Sequence, residues 1–128
     1  MKKLDNFKKS YKNLQDIYEY EEPYSNIVLT GMVALYEICF EQGWKAMKER
    51  LEYDGFDTAK TGAPRMIIKL AYKAGMIMDE ELWLEALMSR NNVAHAYNQA
   101  IAMDIVEKAK ENYVTMFGQL LTELEKQE

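Results

Sequence analysis

Apolar residues recur along this chain at intervals of three and four, and no stretch alternates apolar with polar over a convincing length. The pattern therefore predicts helices throughout and no sheet. Leu4, Phe7, Tyr11, Leu14 and Ile17/Tyr18 form the first stripe, on a helix that stops before Pro23. Ser25 or Asn26 caps a second helix, which runs to about Tyr53 and carries Val28, Met32, Leu35/Tyr36, Cys39/Phe40, Gly43/Trp44, Met47 and Leu51. Asp54-Gly55 ends it with turn chemistry. A third helix opens at Thr61-Gly62-Ala63-Pro64, buries Met66/Ile67, Leu70/Ala71 and Ala74, and stops at Gly75. Asp79 caps a fourth, whose Glu80 and Glu81 suit the positive end of the helix dipole. It carries Trp83, Leu84, Leu87 and Met88 and continues into the segment from Arg90 to Tyr97. A fifth starts near Gln99, with Ile101, Ile105/Val106, Ala109, Tyr113, Met116/Phe117, Leu120/Leu121 and Leu124, and is expected to bend near Gly118. Short loops between such elements make an all-α, antiparallel up-and-down bundle of four or five helices.

Composition narrows the setting. A chain of 128 residues is expected to form one domain, residues 1–128, and 48% hydrophobic against 29% charged residues fits a folded protein. The single cysteine, Cys39, has no internal partner, which points to a reducing compartment, and its apolar helix face makes it an inert core thiol. The N-terminus lacks the apolar core of a secretory leader. Ile27 to Phe40, the most apolar stretch, is interrupted by Thr30, Gly31 and Glu37 and is too short to span a bilayer. A cytoplasmic protein with no membrane association is expected. The net charge of −5 argues against a protein that coats nucleic acid through bulk electrostatics, but it leaves room for a small phosphate-reading site. Nine tyrosines and nine methionines fit either an interface or core filling.

The chain has one histidine, His95, inside Arg90-Asn91-Asn92-Val93-Ala94-His95-Ala96-Tyr97. Histidine is the side chain that exchanges protons near neutrality without special tuning. On a helical wheel Leu84, Leu87/Met88, Asn91 and His95 form one stripe, so an amide and an imidazole take over positions that apolar residues hold a turn earlier, on what reads as an inward face. Trp83, Arg90 and Tyr97 run alongside. On an ideal helix Arg90 and His95 point roughly 140° apart. Three arrangements answer this: Arg90 reaches round, the helix ends between them, or a second copy completes the site. The residues alone also allow a hydrogen-bonded packing histidine, with Arg90 paired to Glu37, Glu41 or Glu85. One His and one Cys far apart, with no Glu-x-x-His pair, make neither a zinc set nor a di-iron signature, and no glycine-rich phosphate loop precedes a helix. No metal and no cofactor is expected.

Arg90 to Tyr97 fits the Arg-x4-His-x-Tyr pattern of HEPN domains, and the flanks extend the likeness. Tyr36-Glu37-x-x-Phe40-Glu41-x-x-Trp44-Lys45 resembles the second helix of the nucleotidyltransferase substrate-binding proteins, the HepT-like branch of HEPN. Pro64-Arg65, Ala71, Ala74-Gly75-Met76-Ile77, Trp83 and Arg90-Asn91 are similar to that branch as well. The likeness covers about Gly31 to Tyr113, with one departure at Asn98, where an acidic residue often follows the tyrosine.

The resemblance implies a bundle that forms a homodimer with its two motif helices facing each other, so that two copies of Arg90 and His95 share one cleft. It implies a toxin that is a metal-independent ribonuclease acting on RNA, paired with an MNT-type nucleotidyltransferase antitoxin that in some pairs adenylylates the motif tyrosine, here Tyr97. His95 would then act as general base, Arg90 as the phosphate clamp, and Asn91 would orient the imidazole or bind a phosphate oxygen. The alternative is a non-catalytic subunit that binds nucleotide or substrate for a two-component nucleotidyltransferase. A purely structural helical oligomer, with the motif as a buried polar network, is a third reading.

Overall fold

The structure, a computed structural model, describes residues 1–126. Helix α1 (Lys2–Leu14) continues into a 3-10 turn at Gln15–Glu19, and α2 (Asn26–Tyr53) is the longest helix at 28 residues. A short arm, α3 (Pro64–Lys73), packs on α2 and on α4 (Glu80–Asn92). The last rod comprises α5 (Gln99–Lys108) and α6 (Val114–Lys126), joined by a π-helical turn at Ala109–Tyr113. The result is the all-α bundle that the periodicity predicts.

Side-chain contacts fix the up-and-down order. Phe7 lies against Gly43 and the Lys3 amide donates to Glu49, so α1 runs antiparallel to α2. Lys8 pairs with Glu125 and Tyr11 sits against Gly118, so α1 is also antiparallel to α6. Trp83 touches Gly43, whereas Ala96, beyond the end of α4, shares a cavity with Leu29 and Thr30 near the start of α2. Hence α4 is antiparallel to α2.

The helix ends follow local chemistry. Ser25 Oγ accepts from the Val28 amide and Asp79 Oδ1 from the Leu82 amide, each satisfying a donor that the first turn leaves unpaired. Pro64 opens α3, where its missing N–H costs nothing, and Gly75 ends that arm at φ +79°, a left-handed conformation that favours glycine.

An aromatic cluster fills the middle of the bundle. Trp83 meets Phe117 edge-on at 5.5 Å, Tyr36 stacks on Tyr113 at 5.2 Å, and Phe7 meets Phe117 at 6.1 Å. Truncating any one of these rings to alanine removes about 3–5 kcal/mol. That packing fixes how α4 is turned.

Several expectations need correction. The inner face of α4 is Trp83, Ala86, Leu87 and Ser89, while Met88, Asn91 and His95 are exposed and Leu84 is half-buried. Of the stripe read as inward, Leu87 alone is buried, and Met88, Asn91 and His95 face outward. Apolar residues occupy both sides of α4, and polar bonds select the buried one: Tyr36 Oη donates to the Ala86 carbonyl at 2.5 Å, and Ser89 Oγ lies 2.8 Å from Tyr113 Oη. On α3, Ile67, Ile68 and Ala71 are buried, whereas Met66 and Ala74 are exposed. In the last rod the departure from α-helical geometry falls at Ala109–Tyr113, not at Gly118. Gly118 instead gives room to Tyr11, whose hydroxyl would lie 2.6 Å from a Cβ there.

Candidate functional site

Arg90 leaves the last turn of α4. Its Nη2 lies 2.8 Å from Glu41 Oε1 and 3.1 Å from Oε2, across the α2–α4 contact. Glu41 is itself held, since Trp44 Nε1 donates to Oε2 at 2.9 Å. Arg90 Nη1 donates to Asn91 Oδ1 at 2.9 Å, and the guanidinium carbon lies 5.8 Å from the Phe40 ring centroid. Its Nε is buried without a hydrogen-bond partner. Of the three acids that the residues alone offer Arg90, the fold selects Glu41. With about a quarter of each side chain exposed (25% and 28%), the pair is partly screened, and it contributes about 1 kcal/mol.

The helix ends between Arg90 and His95. Asn91 and Asn92 are weak helix formers, and after Asn92 the chain tightens into a 3-10 turn at Val93–His95. The Ala96 amide donates to the Val93 carbonyl and the Asn98 amide to the His95 carbonyl, both at 3.0 Å. Asn98 then starts α5 by accepting from the amides of Ala100 at 2.9 Å and Ile101 at 3.3 Å. Asparagine makes this cap as well as an aspartate does, so the departure from the family pattern at Asn98 leaves the local fold intact.

His95 is exposed on this turn, and its ring meets Tyr97 edge-on at 6.4 Å. Tyr97 is 88% exposed. Arg90 is thus joined to Asn91 and His95 to Tyr97, and among the described residues no bond links the two pairs. A packing histidine requires burial and a hydrogen-bond partner, and among the described residues the exposed His95 ring meets only the edge of Tyr97.

Other candidate groups separate from this edge. Burial pushes the Cys39 thiol up to about 12, against a smaller opposing pull from its hydrogen bond with Ser10, as befits an inert core thiol. Burial also raises the Tyr36 and Tyr113 phenols. Among the described residues, no group of three or more His, Cys, Asp and Glu is placed to hold a metal ion, and no helix is long and apolar enough to cross a membrane. Sequence reasoning missed the supports of the site. Glu41 stood as one of three options, and Phe40 and Trp44 stood out only as part of the resemblance, with no role beside Glu41 and Arg90 assigned to them.

Comparison with known proteins places this geometry in a family. Residues 2–126 match the family model described as nucleotidyltransferase substrate binding protein like. A probable ribonuclease HepT of Haemophilus influenzae is 30% identical over 80 residues, a match that spans 61% of this chain and 55% of that protein, about half its length. A Thermus thermophilus structure superposes with a TM-score of 0.81 at 24% identity, covering 92% of this chain and 98% of the other. A Haemophilus influenzae structure, described as revealing the fold of a substrate-binding domain of a nucleotidyltransferase, superposes equally well, at 0.81 and 21% identity over 95% of this chain and 98% of the other. These two likenesses establish the shared fold. The chain belongs to the nucleotidyltransferase substrate binding protein-like family.

Proposed function

We propose that this protein is a HepT-like toxin, a metal-independent endoribonuclease that works as a homodimer and is neutralised by a nucleotidyltransferase antitoxin. One observation carries the reading: His95, Asn91 and Tyr97 stand exposed at a helix break beside an arginine that Glu41 holds in place. Such a cluster does no packing within the protomer, and its residue types suit cleavage of RNA. The relative named as a probable ribonuclease supports the same reading.

His95 accepts the proton of a ribose 2′-hydroxyl, whose oxygen attacks the adjacent phosphorus. The bond to the 5′-oxygen of the next nucleotide breaks, and the imidazolium proton is available to that leaving oxygen. The products are a 2′,3′-cyclic phosphate and a 5′-hydroxyl. Arg90 stabilises the charge that gathers on the phosphate, using donors that Glu41 and Asn91 leave free. Asn91 holds the guanidinium and is within one turn of the imidazole. DNA escapes for lack of the 2′-hydroxyl.

A dimer supplies what one protomer lacks. Ile27, Gly31, Ala34 and Ile38 lie on one face of α2, and Ile27 (84%), Ile38 (50%) and Met88 of α4 (66%) are exposed apolar side chains. Surfaces of this kind mark association, and an isologous contact brings two motif edges to one cleft. Tyr97, fully accessible, is the acceptor for control by the antitoxin: its hydroxyl attacks the α-phosphorus of ATP, pyrophosphate leaves, and the added AMP anion repels RNA.

Expression of wild type and His95→Ala, each with and without the neighbouring nucleotidyltransferase, tests this through growth and RNA integrity. Wild type alone arrests growth and degrades RNA, and His95→Ala does not. Equal harmlessness of the two would overturn the toxin reading. The second reading, a non-catalytic subunit that binds substrate for a nucleotidyltransferase, is favoured by the net charge of −5 and by the family's description.

A further inference from the structure

Beside Tyr97, where the loop between α4 and α5 passes the start of α2, lies a notch of about 270 Å³. Its aromatic walls are Tyr24 and Tyr97, and Leu29 and Ala96 supply apolar surface. Asn26, Thr30 and Gln99 bring two amides and a hydroxyl to its rim. None of these residues is charged. Among the described residues the side chains of Asn26, Thr30 and Gln99 have no hydrogen-bond partner within the protein, so their donors and acceptors are open to a ligand.

Tyr24 is held rigidly. Lys110, in the π-helical turn, donates from Nζ to Tyr24 Oη at 2.8 Å and to the Tyr20 carbonyl at 2.5 Å, while Tyr18 Oη donates to the Lys110 carbonyl at 2.7 Å. The linker before α2 is thereby strapped to the last rod, and the Tyr24 ring becomes a fixed wall. Beyond Tyr24 the surface carries net negative charge, with Glu22, Glu107 and Glu111 against Lys110 in the lining of the next cavity. That charge repels a phosphate chain on the far side and leaves approach from the His95–Tyr97 side.

We propose that this notch is a nucleobase subsite: Tyr24 and Tyr97 offer ring faces for stacking, and Asn26, Thr30 and Gln99 read the base edge. Neutral polar groups between aromatic walls match a flat, uncharged ring with donors and acceptors on its rim, the chemistry by which proteins hold unstacked bases. Ala96 alone separates His95 from Tyr97, so the subsite lies beside the proposed cleavage point. The notch chemistry stands on its own, and only the identity of the base as part of an RNA substrate rests on the ribonuclease reading. The same chemistry serves a free nucleotide.

The test is binding, measured by calorimetry or NMR on the full chain, of the four nucleoside monophosphates, ribose 5-phosphate, and a 2′-O-methyl tetranucleotide that cannot be cleaved. Mononucleotides bind, ribose 5-phosphate binds at least tenfold more weakly, and Asn26→Ala/Gln99→Ala weakens the mononucleotides roughly tenfold. Both positions are exposed first residues of helices, so the variant keeps its fold, checked by thermal unfolding. A tetranucleotide at least tenfold tighter than the mononucleotides identifies RNA as the source of the base, and equal affinity identifies a free nucleotide. Ribose 5-phosphate binding as well as the nucleotides, or unchanged binding by the double variant, would overturn the subsite. Loss of cleavage in His95→Ala together with unchanged nucleotide binding by the notch variant would sink this inference and leave the ribonuclease reading standing.

Discussion

Arg90 and Glu41 hold each other across α4 and α2, with Nη2 2.8 Å from Oε1 and 3.1 Å from Oε2. Lysine reproduces the charge but not the planar fork that meets Glu41 while bonding Asn91. Arg90→Lys is therefore expected to lower RNA cleavage about 100-fold, the scale of losing one stabilising donor set, while stability changes by less than about 1 kcal/mol. A double-mutant cycle of Arg90→Ala with Glu41→Ala should return a coupling of about 1 kcal/mol. Zero coupling would mean that Glu41 does not hold the arginine in solution.

The π-helical turn earns its place through Tyr113, whose hydroxyl joins Ser89 Oγ at 2.8 Å and donates to Glu85 Oε1 at 3.1 Å. Tyr113→Phe leaves the buried Ser89 hydroxyl without its partner and should cost about 1–2 kcal/mol in urea unfolding. Adding Ser89→Ala removes the orphaned group and should recover part of that loss. A neutral Tyr113→Phe would show that the network adds nothing to stability.

Gly118 sits mid-helix, where alanine is intrinsically better by about 1 kcal/mol, yet a Cβ there would lie 2.6 Å from Tyr11 Oη. Gly118→Ala should thus lower the melting temperature of the wild type. In a Tyr11→Phe background, with the hydroxyl gone, the same change should be neutral or stabilising. Identical effects in both backgrounds would contradict the contact.

Three buried acids should weaken the fold at high pH. Burial raises Cys39 from 9.0 to about 12 and holds the Tyr36 and Tyr113 phenols above 10.0. The unfolded chain releases these protons first, so their contribution is complete below the unfolded values, about 8.5 for cysteine and 10 for tyrosine. It falls progressively as pH rises through the folded ones. Denaturant midpoints measured from pH 7 to 11 should decline above about pH 8.5, and native Cys39 should resist thiol reagents at pH 8. Rapid labelling of the folded protein would contradict its burial.

Much of this was legible in the residues, and the misses have physical causes. Ser25, Asp79, Pro64 and Gly75 marked helix ends correctly because capping and φ preference act locally. The face of α4 was misread because Leu84 and Met88 lie across the helix from Trp83 and Ala86, so periodicity alone does not choose between sides. The choice is made by Tyr36 and Tyr113, which come from distant segments. No glycine or proline marks the π-helical turn at Ala109–Tyr113. Arg90, Asn91, His95 and Tyr97 were visible as a cluster, whereas the notch at Tyr24 depends on a strap between Lys110 and residues about ninety positions away.

The central claim is that His95 drives cleavage of RNA through the 2′-hydroxyl. The most direct measurement incubates purified wild type and His95→Ala with a labelled single-stranded RNA in the presence of EDTA and identifies the product ends by mass spectrometry. Wild type should yield 2′,3′-cyclic phosphate and 5′-hydroxyl ends, with none from His95→Ala and none from the matching DNA. Intact RNA after incubation with wild type, or equal cleavage by His95→Ala, would contradict the account.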